Sequence, residues 1–86
     1  MIELWDRETR CASLNVLLAI WERAVRSTHK FLQEEDILAL RPVVREALLE
    51  IPRLAVYLEE GKPAGFLGAA GEKIEMLFLD VPAQGK

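Results

Sequence analysis

Few side chains in this 86-residue chain combine the type and the setting that chemistry needs. His29 is the only histidine and Cys11 the only cysteine, so neither a Cys/His metal site nor an intrachain disulfide can be assembled. Cys11 reads as an inert, half-buried residue, without the cationic surroundings that activate a thiol. Glu75 is the one carboxylate inside the apolar run "KIEMLFL". There it is either a general base or a solvated strand residue near a sheet edge. His29 follows a helical stretch, where it either lines a pocket with Thr28 or faces the partial negative charge of the helix C-terminus. Gln84, Gly85 and Lys86 open a glycine turn. Backbone N–H groups of glycine loops can hold phosphate, but three residues alone assign nothing.

The elements that must position these residues are readable from spacing. "MIELW" alternates apolar with polar and suggests a strand over residues 2–5. "DRETRCAS" holds turn and capping residues, with Thr9 or Ser13 as the expected N-cap. From Ala12 to Ser27, Leu14, Leu17, Leu18, Trp21 and Val25 recur at helical spacing, and Glu22 and Arg26 form an exposed i,i+4 pair. A second helix is expected from Glu34 to Ile51, with Ile37, Leu40, Val44, Ala47, Leu48 and Ile51 on one face. Pro42 lacks an N–H and crowds the carbonyl of Leu38, which predicts a kink or two abutting helices. Trp21 and Phe31 read as core residues.

The last third changes period. Leu54–Glu59, Lys62–Ala70 and Lys73–Leu79 are strand-like, separated by "EEGK" and "AGEK", each with a glycine for a positive φ. Links this short force antiparallel neighbours. Gly65, Gly68 and Gly71 in or beside the middle strand signal either weak strand propensity or a close approach of backbone to a helix or ligand. The expectation is an α+β fold, β-α-α-β-β-β, with an antiparallel three-strand meander packed on two helices. No repeat, linker or low-complexity segment divides residues 1–86.

Composition narrows the function class. The chain is 51% hydrophobic and 29% charged with a net charge of −3, the profile of a globular protein rather than a disordered one. A mildly acidic chain with no basic block is poorly suited to nucleic acid. No apolar run approaches the roughly 20 residues that span a bilayer, and "MIELWDRETR" is charged too early for a signal peptide. A cytoplasmic location is the expectation. A chain of this size buries only about 60–65% of its unfolded surface, so its stability should be small.

The order of elements, closing on "IEMLFLDVPAQGK", resembles the N-terminal half of the GNAT acetyltransferases. In that family the fourth strand ends in an apolar stretch, often Leu-Phe-Val-Asp, and an Arg/Gln-Gly-x-Gly-x-Gly/Ala loop follows and opens a helix. Here Asp80 is followed by Gln84 and Gly85 at offsets four and five, as in the family. Pro82 is displaced by one position because Val81 follows Asp80. "WERAVRSTHKFL" resembles the first helix and following loop of a bacterial subgroup with Trp…Val…Thr-His-x-Phe-Leu, and "AVYLEEGKPAGFLGAAGEKIEMLFLD" resembles its second to fourth strands. The resemblance covers essentially all 86 residues.

The resemblance implies a fragment of an acetyl-CoA-dependent N-acetyltransferase acting on a small-molecule or peptide amine, with the chain stopping inside the cofactor loop. Phe78 and Leu79 are then expected to lay a strand edge along the pantetheine arm. Gln84, Gly85 and Lys86 are expected to approach the pyrophosphate, Thr28 and His29 to line the acceptor pocket, and Glu75 to serve as the general base. The isolated chain is expected to be inactive, and without a fifth strand the edge Lys73–Leu79 is expected to self-associate. The alternative is a small non-catalytic interaction module acting through that strand edge or a helix face.

Overall fold

The computed structural model describes residues 1–28 and 33–80, and for Thr28 the backbone alone. The chain runs β1 (Ile2–Leu4), α1 (Arg7–Ala12), α2 (Leu14–Thr28), α3 (Glu34–Glu50), β2 (Arg53–Glu59), β3 (Lys62–Ala70) and β4 (Lys73–Leu79). The strands form one antiparallel sheet in the order β1-β2-β3-β4. The α+β class and the meander of β2, β3 and β4 agree with expectation. The four strands are those expected, and β1, which spacing left without a partner, joins the meander in one sheet, while there are three helices rather than two. β1 joins at the far edge, pairing Ile2 with Tyr57 and Leu4 with Ala55. Sequence spacing cannot disclose a partner more than fifty residues away.

The stretch read as a turn is the short helix α1. Its N-cap is Asp6, whose Oδ1 accepts from the Thr9 N–H at 2.8 Å. Ser13 is the joint between α1 and α2. Its N–H donates to the Thr9 carbonyl, and its own carbonyl receives the Val16 and Leu17 N–H groups. Cys11, expected to be half-buried, is exposed, because the single helical turn that carries it packs through Arg10 instead.

In α2, the spacing reading holds at Leu14, Leu17, Leu18, Trp21 and Val25, all buried, and Ile20 and Ala24 widen the apolar stripe. Phe31 lies outside the described residues. α3 is not divided at Pro42. The proline is exposed, as are Leu38 and Val43 beside it, so the carbonyl that loses its donor lies toward water and the helix continues. Ile37 and Leu48 are buried and Val44 and Ile51 pack against the core, but Leu40 falls outside the stripe.

Leu54, Val56 and Phe66 carry the helix side of the sheet, with Leu58, Met76 and Phe78 packed around them. The rings of Phe66 and Phe78 meet across β3 and β4 in a tilted arrangement, with centroids 5.7 Å apart and planes at 44°. Two glycines permit this closeness. A Cβ on Gly68 would lie 2.8 Å from both Ile51 Cδ1 and Met76 Cγ, so the end of α3 presses on β3 at that point. A Cβ on Gly65 would lie 2.9 Å from the backbone oxygen of Phe78, where β4 closes on β3. Arg10 locks the helices to the sheet. It is 5% exposed, and donates through Nε to the Trp5 carbonyl at 2.8 Å and through Nη1 to the Leu48 and Ile51 carbonyls at 3.1 and 2.6 Å. It thereby satisfies the last turn of α3, whose carbonyls have no helical donor. Burial pushes its pKa down, yet a guanidinium stays charged.

Candidate functional site

The sequence directs attention to β4 and to the two chain segments that leave α2 and β4. β4 lies at one edge of the sheet, paired only with β3 among the described strands. Its alternation sends Phe78 inward against Phe66 and Leu79 to the opposite face. Past the last strand residue, the Asp80 N–H still donates to the Ala64 carbonyl at 2.8 Å. The Asp80 carboxylate receives a two-pronged bond from Arg23 of α2: Nε to Oδ1 and Nη2 to Oδ2, each 2.7 Å. This bond raises the arginine pKa. Asp80 is therefore tied both to β3 and to α2.

Glu75 sits at an irregularity. Met76 pairs with Gly68 and Ile74 with Ala69, so Glu75 is an extra residue with no opposite number, a β-bulge. Strict alternation, which would put Glu75 on the face of Leu77 and Leu79, is broken there. Glu75 is exposed and lines a shallow depression with Ala47, Glu50, Ile51, Pro52, Ala70 and Met76, at the C-terminal end of α3. Five residues of strand, about 16 Å, separate it from Asp80.

The other end of α3 carries the opposite set of contacts. Arg26 of α2 bonds Glu34 at 2.7 Å, Glu22 lies 3.6 Å from Arg26 and 3.4 Å from Arg41, and the α2–α3 connection leaves from this end. Thr28 ends α2, five residues beyond Arg23. The structure thus brings the α2 terminus and the end of β4 together through Arg23 and Asp80. It holds Glu75 apart, at the far end of a 17-residue helix about 25 Å long. His29, Gln84, Gly85 and Lys86 lie outside the described residues, and of Thr28 only the backbone is described. The Arg23–Asp80 pair escaped the sequence reading. Its members are 57 positions apart, and the one available signal was a charged residue on an otherwise sequence-typical exposed helix turn.

The sheet face away from the helices forms a depression of about 390 Å³ lined by Ile2, Ala55, Tyr57, Glu59, Leu67 and Leu77, among others. Its polar rim is the Tyr57 hydroxyl, which donates to Glu59 Oε1 at 3.4 Å. Among the described residues no group of His, Cys, Asp and Glu side chains is arranged to hold a metal ion. Nor is any helix there long and apolar enough to cross a membrane.

No protein-family model matches the chain. Curated proteins do match it, among them two that are each named peptidyl-lysine N-acetyltransferase YjaB. That of Salmonella typhimurium is 32% identical over 80 residues, covering 93% of this chain and 55% of the relative. That of Escherichia coli is 35% identical over 79 residues, covering 92% of this chain and 54% of the relative. The solution structure of apo-form YjaB from Escherichia coli superposes with a TM-score of 0.77 at 34% identity, covering 99% of this chain and 56% of the other. The chain thus spans about half the length of the curated relatives it matches, and over that half it is similar to acetyltransferases in both sequence and fold.

Proposed function

We propose that these residues form the N-terminal half of a GNAT-type N-acetyltransferase that moves an acetyl group from acetyl-CoA to a primary amine, with a lysine side chain of a peptide or protein as the acceptor class. The observation that carries the reading is the likeness to YjaB, which extends over nearly the whole chain at 0.77 in TM-score. β4 is suited to the part: as an edge strand it offers a row of backbone donors and acceptors to an amide-bearing arm, much as a sheet edge receives a peptide. Phe78 and Leu79 are the residues assigned to that arm, and Gln84, Gly85 and Lys86 those assigned to the phosphates. When bound, acetyl-CoA supplies an activated acetyl thioester.

The chain's own residues have to orient the amine and remove its proton, because an ammonium has no lone pair with which to attack. Thr28 and His29 are assigned to acceptor binding and Glu75 to proton removal. Since Glu75 lies about 16 Å along the strand from Asp80, the reacting centre has to sit well up the β4 edge from the phosphate end. Glu75→Gln should then lower kcat more than it weakens cofactor binding, and the loss should shrink at high pH, where the amine is already neutral. Turnover that is unchanged at every pH removes Glu75 from the mechanism.

The deciding experiment incubates the full-length protein with acetyl-CoA and a lysine peptide and reads acetylated product by mass spectrometry, with calorimetry for cofactor binding. Product formation and micromolar binding are expected for the full-length protein, and neither for residues 1–86 alone. A full-length protein that does neither overturns the reading in favour of a non-catalytic module.

A further inference from the structure

The sheet face away from the helices has a relief as well as a polarity. Residues directly opposite each other on neighbouring strands point to the same side. The register therefore lays two rows across this face: Leu4, Ala55, Leu67 and Leu77, then Ile2, Tyr57, Gly65 and Leu79. Neither row carries a charge. The outer strands stand high, because Ile2 and Leu4 on β1 and Leu77 and Leu79 on β4 are exposed. Leu79 leans inward over β3: a Cβ on Gly65 would lie 2.6 Å from its Cδ2. The middle is low, because Ala55 is small and Leu67 is half-buried. The depression of about 390 Å³ lies between these two apolar walls. The charges of Arg53 and of Glu59, which pairs with Lys62, stay at the two ends of β2.

Shape limits how such a face can be covered. An uncharged hollow calls for an uncharged ridge, and the chain itself carries one in the β4 wall. Two copies laid wall on wall would face hollow to hollow and leave a void, which close packing disfavours. Shifted sideways by about two strands, roughly 10 Å, each copy sets its β4 wall in the hollow of the other. That contact is the same seen from either copy, as a two-fold pair requires. We infer that this face docks a second copy of the chain, with Leu77 and Leu79 of each resting on Ala55 and Leu67 of the other, about a two-fold axis along the strands. The β1 wall, Ile2 and Leu4, lies outside the contact. Fewer residues take part than the roughly 20–30 per side of a standard interface, so the dimer is reversible, with a Kd in the micromolar range. The inference goes beyond the acetyltransferase reading and does not depend on it.

The test is sedimentation of residues 1–86 over a range of micromolar concentrations, with far-UV circular dichroism to confirm that each variant is folded. The wild type should be a reversible dimer. Leu77→Lys places a charge on the wall and Ala55→Phe fills the hollow, and each should raise the dimer Kd about tenfold or more, the scale of losing a central anchor. Leu79→Gln repeats the wall test with a milder change and should act in the same direction. Leu4→Lys, on the wall left outside the contact, should keep the Kd within about twofold of wild type. A dimer that Leu4→Lys breaks as strongly as Leu77→Lys overturns the shifted packing. A dimer that a folded Ala55→Phe leaves intact overturns it in favour of pairing between β4 edges alone. A wild-type chain that is monomeric throughout overturns the inference outright and leaves the acetyltransferase reading, which is judged by acetyl transfer, untouched.

Discussion

The two faces of the sheet are built from the same kinds of residue and live in different surroundings. On the helix side Leu54, Val56 and Phe66 are 0–2% exposed; on the other side Ile2, Leu4 and Leu77 are 70, 74 and 60% exposed. Strands that present apolar residues to both sides belong to sheets covered on both sides. Among the described residues nothing covers the second face, and exposed apolar faces are where other surfaces commonly dock. The difference teaches that residue type decided neither fate. The helices of residues 7–50 reach one face only, so identical side chains contribute to folding on that face and expose apolar surface on the other.

The sharpest way to break this comparison is to truncate one residue on each face. Phe66→Ala removes a fully buried ring and should cost about 3–5 kcal/mol, roughly half of the about 5–10 kcal/mol that holds such a domain folded. Leu77→Ala should change stability by about 0.5 kcal/mol or less in the monomer. Urea unfolding followed by circular dichroism reads both, and equal losses would show that the open face is covered in solution. Next in size is Arg10→Met. It leaves the Trp5, Leu48 and Ile51 carbonyls without their donor, and unsatisfied buried acceptors make the expected loss about 2–3 kcal/mol, in the same titration.

The open side also bears on assembly. We expect residues 1–86 to form a two-fold dimer through the edge and open face of β4 at micromolar concentration. The bulge at Glu75 and the charge of Lys73 blunt the first half of that edge, which leaves Leu77–Leu79 as the pairing half. Leu77→Lys should shift the population toward monomer on a sizing column with light scattering. It is a cleaner probe than a change at Met76, whose side chain packs toward the core. A wild-type chain that elutes as monomer at those concentrations removes the dimer.

The smallest effect concerns the α1 cap, remote from both faces. The Thr9 backbone N–H, then its side chain, holds the Asp6 carboxyl below the usual value of 3.8. A depressed carboxyl pKa stabilises the folded state fully above its unfolded value, and that contribution fades as pH falls through the folded value. Acid titration of the wild type should therefore lose a small increment of stability below about pH 4. Asp6→Asn, which keeps the capping oxygen, should not show it. Superimposable acid curves for the two proteins would remove the cap from the pH dependence.

Local features were legible in the sequence because local physics sets them. The apolar spacing of Leu14, Leu17, Leu18, Trp21 and Val25 placed the face of α2, and the strands Lys62–Ala70 and Lys73–Leu79 were readable between their glycine turns. α1 was missed because one and a half turns are too short for a periodic signal. At Pro42 the sequence left a kink or a division open, and only the structure shows that the helix runs on as one element. Of the site, the resemblance pointed to β4 and the residues after it. The bulge that sets Glu75 apart, and its distance from the α2 terminus, were invisible to a reading that assumed strict alternation.

By itself, the sequence determined where the long helices and the strands form, which residues of α2 share a face, and that the last three strands are antiparallel, because side-chain period and short glycine turns act over a few residues. Only the tertiary structure decided that β1 pairs with β2, that Arg10 reaches the Leu48 and Ile51 carbonyls, that Arg23 grips Asp80, and that the helices cover one apolar face of the sheet. Each of these is a contact between residues far apart in the chain. Such contacts arise when whole elements dock, and which faces meet depends on shape and on the lengths of the connections, neither of which any local pattern encodes.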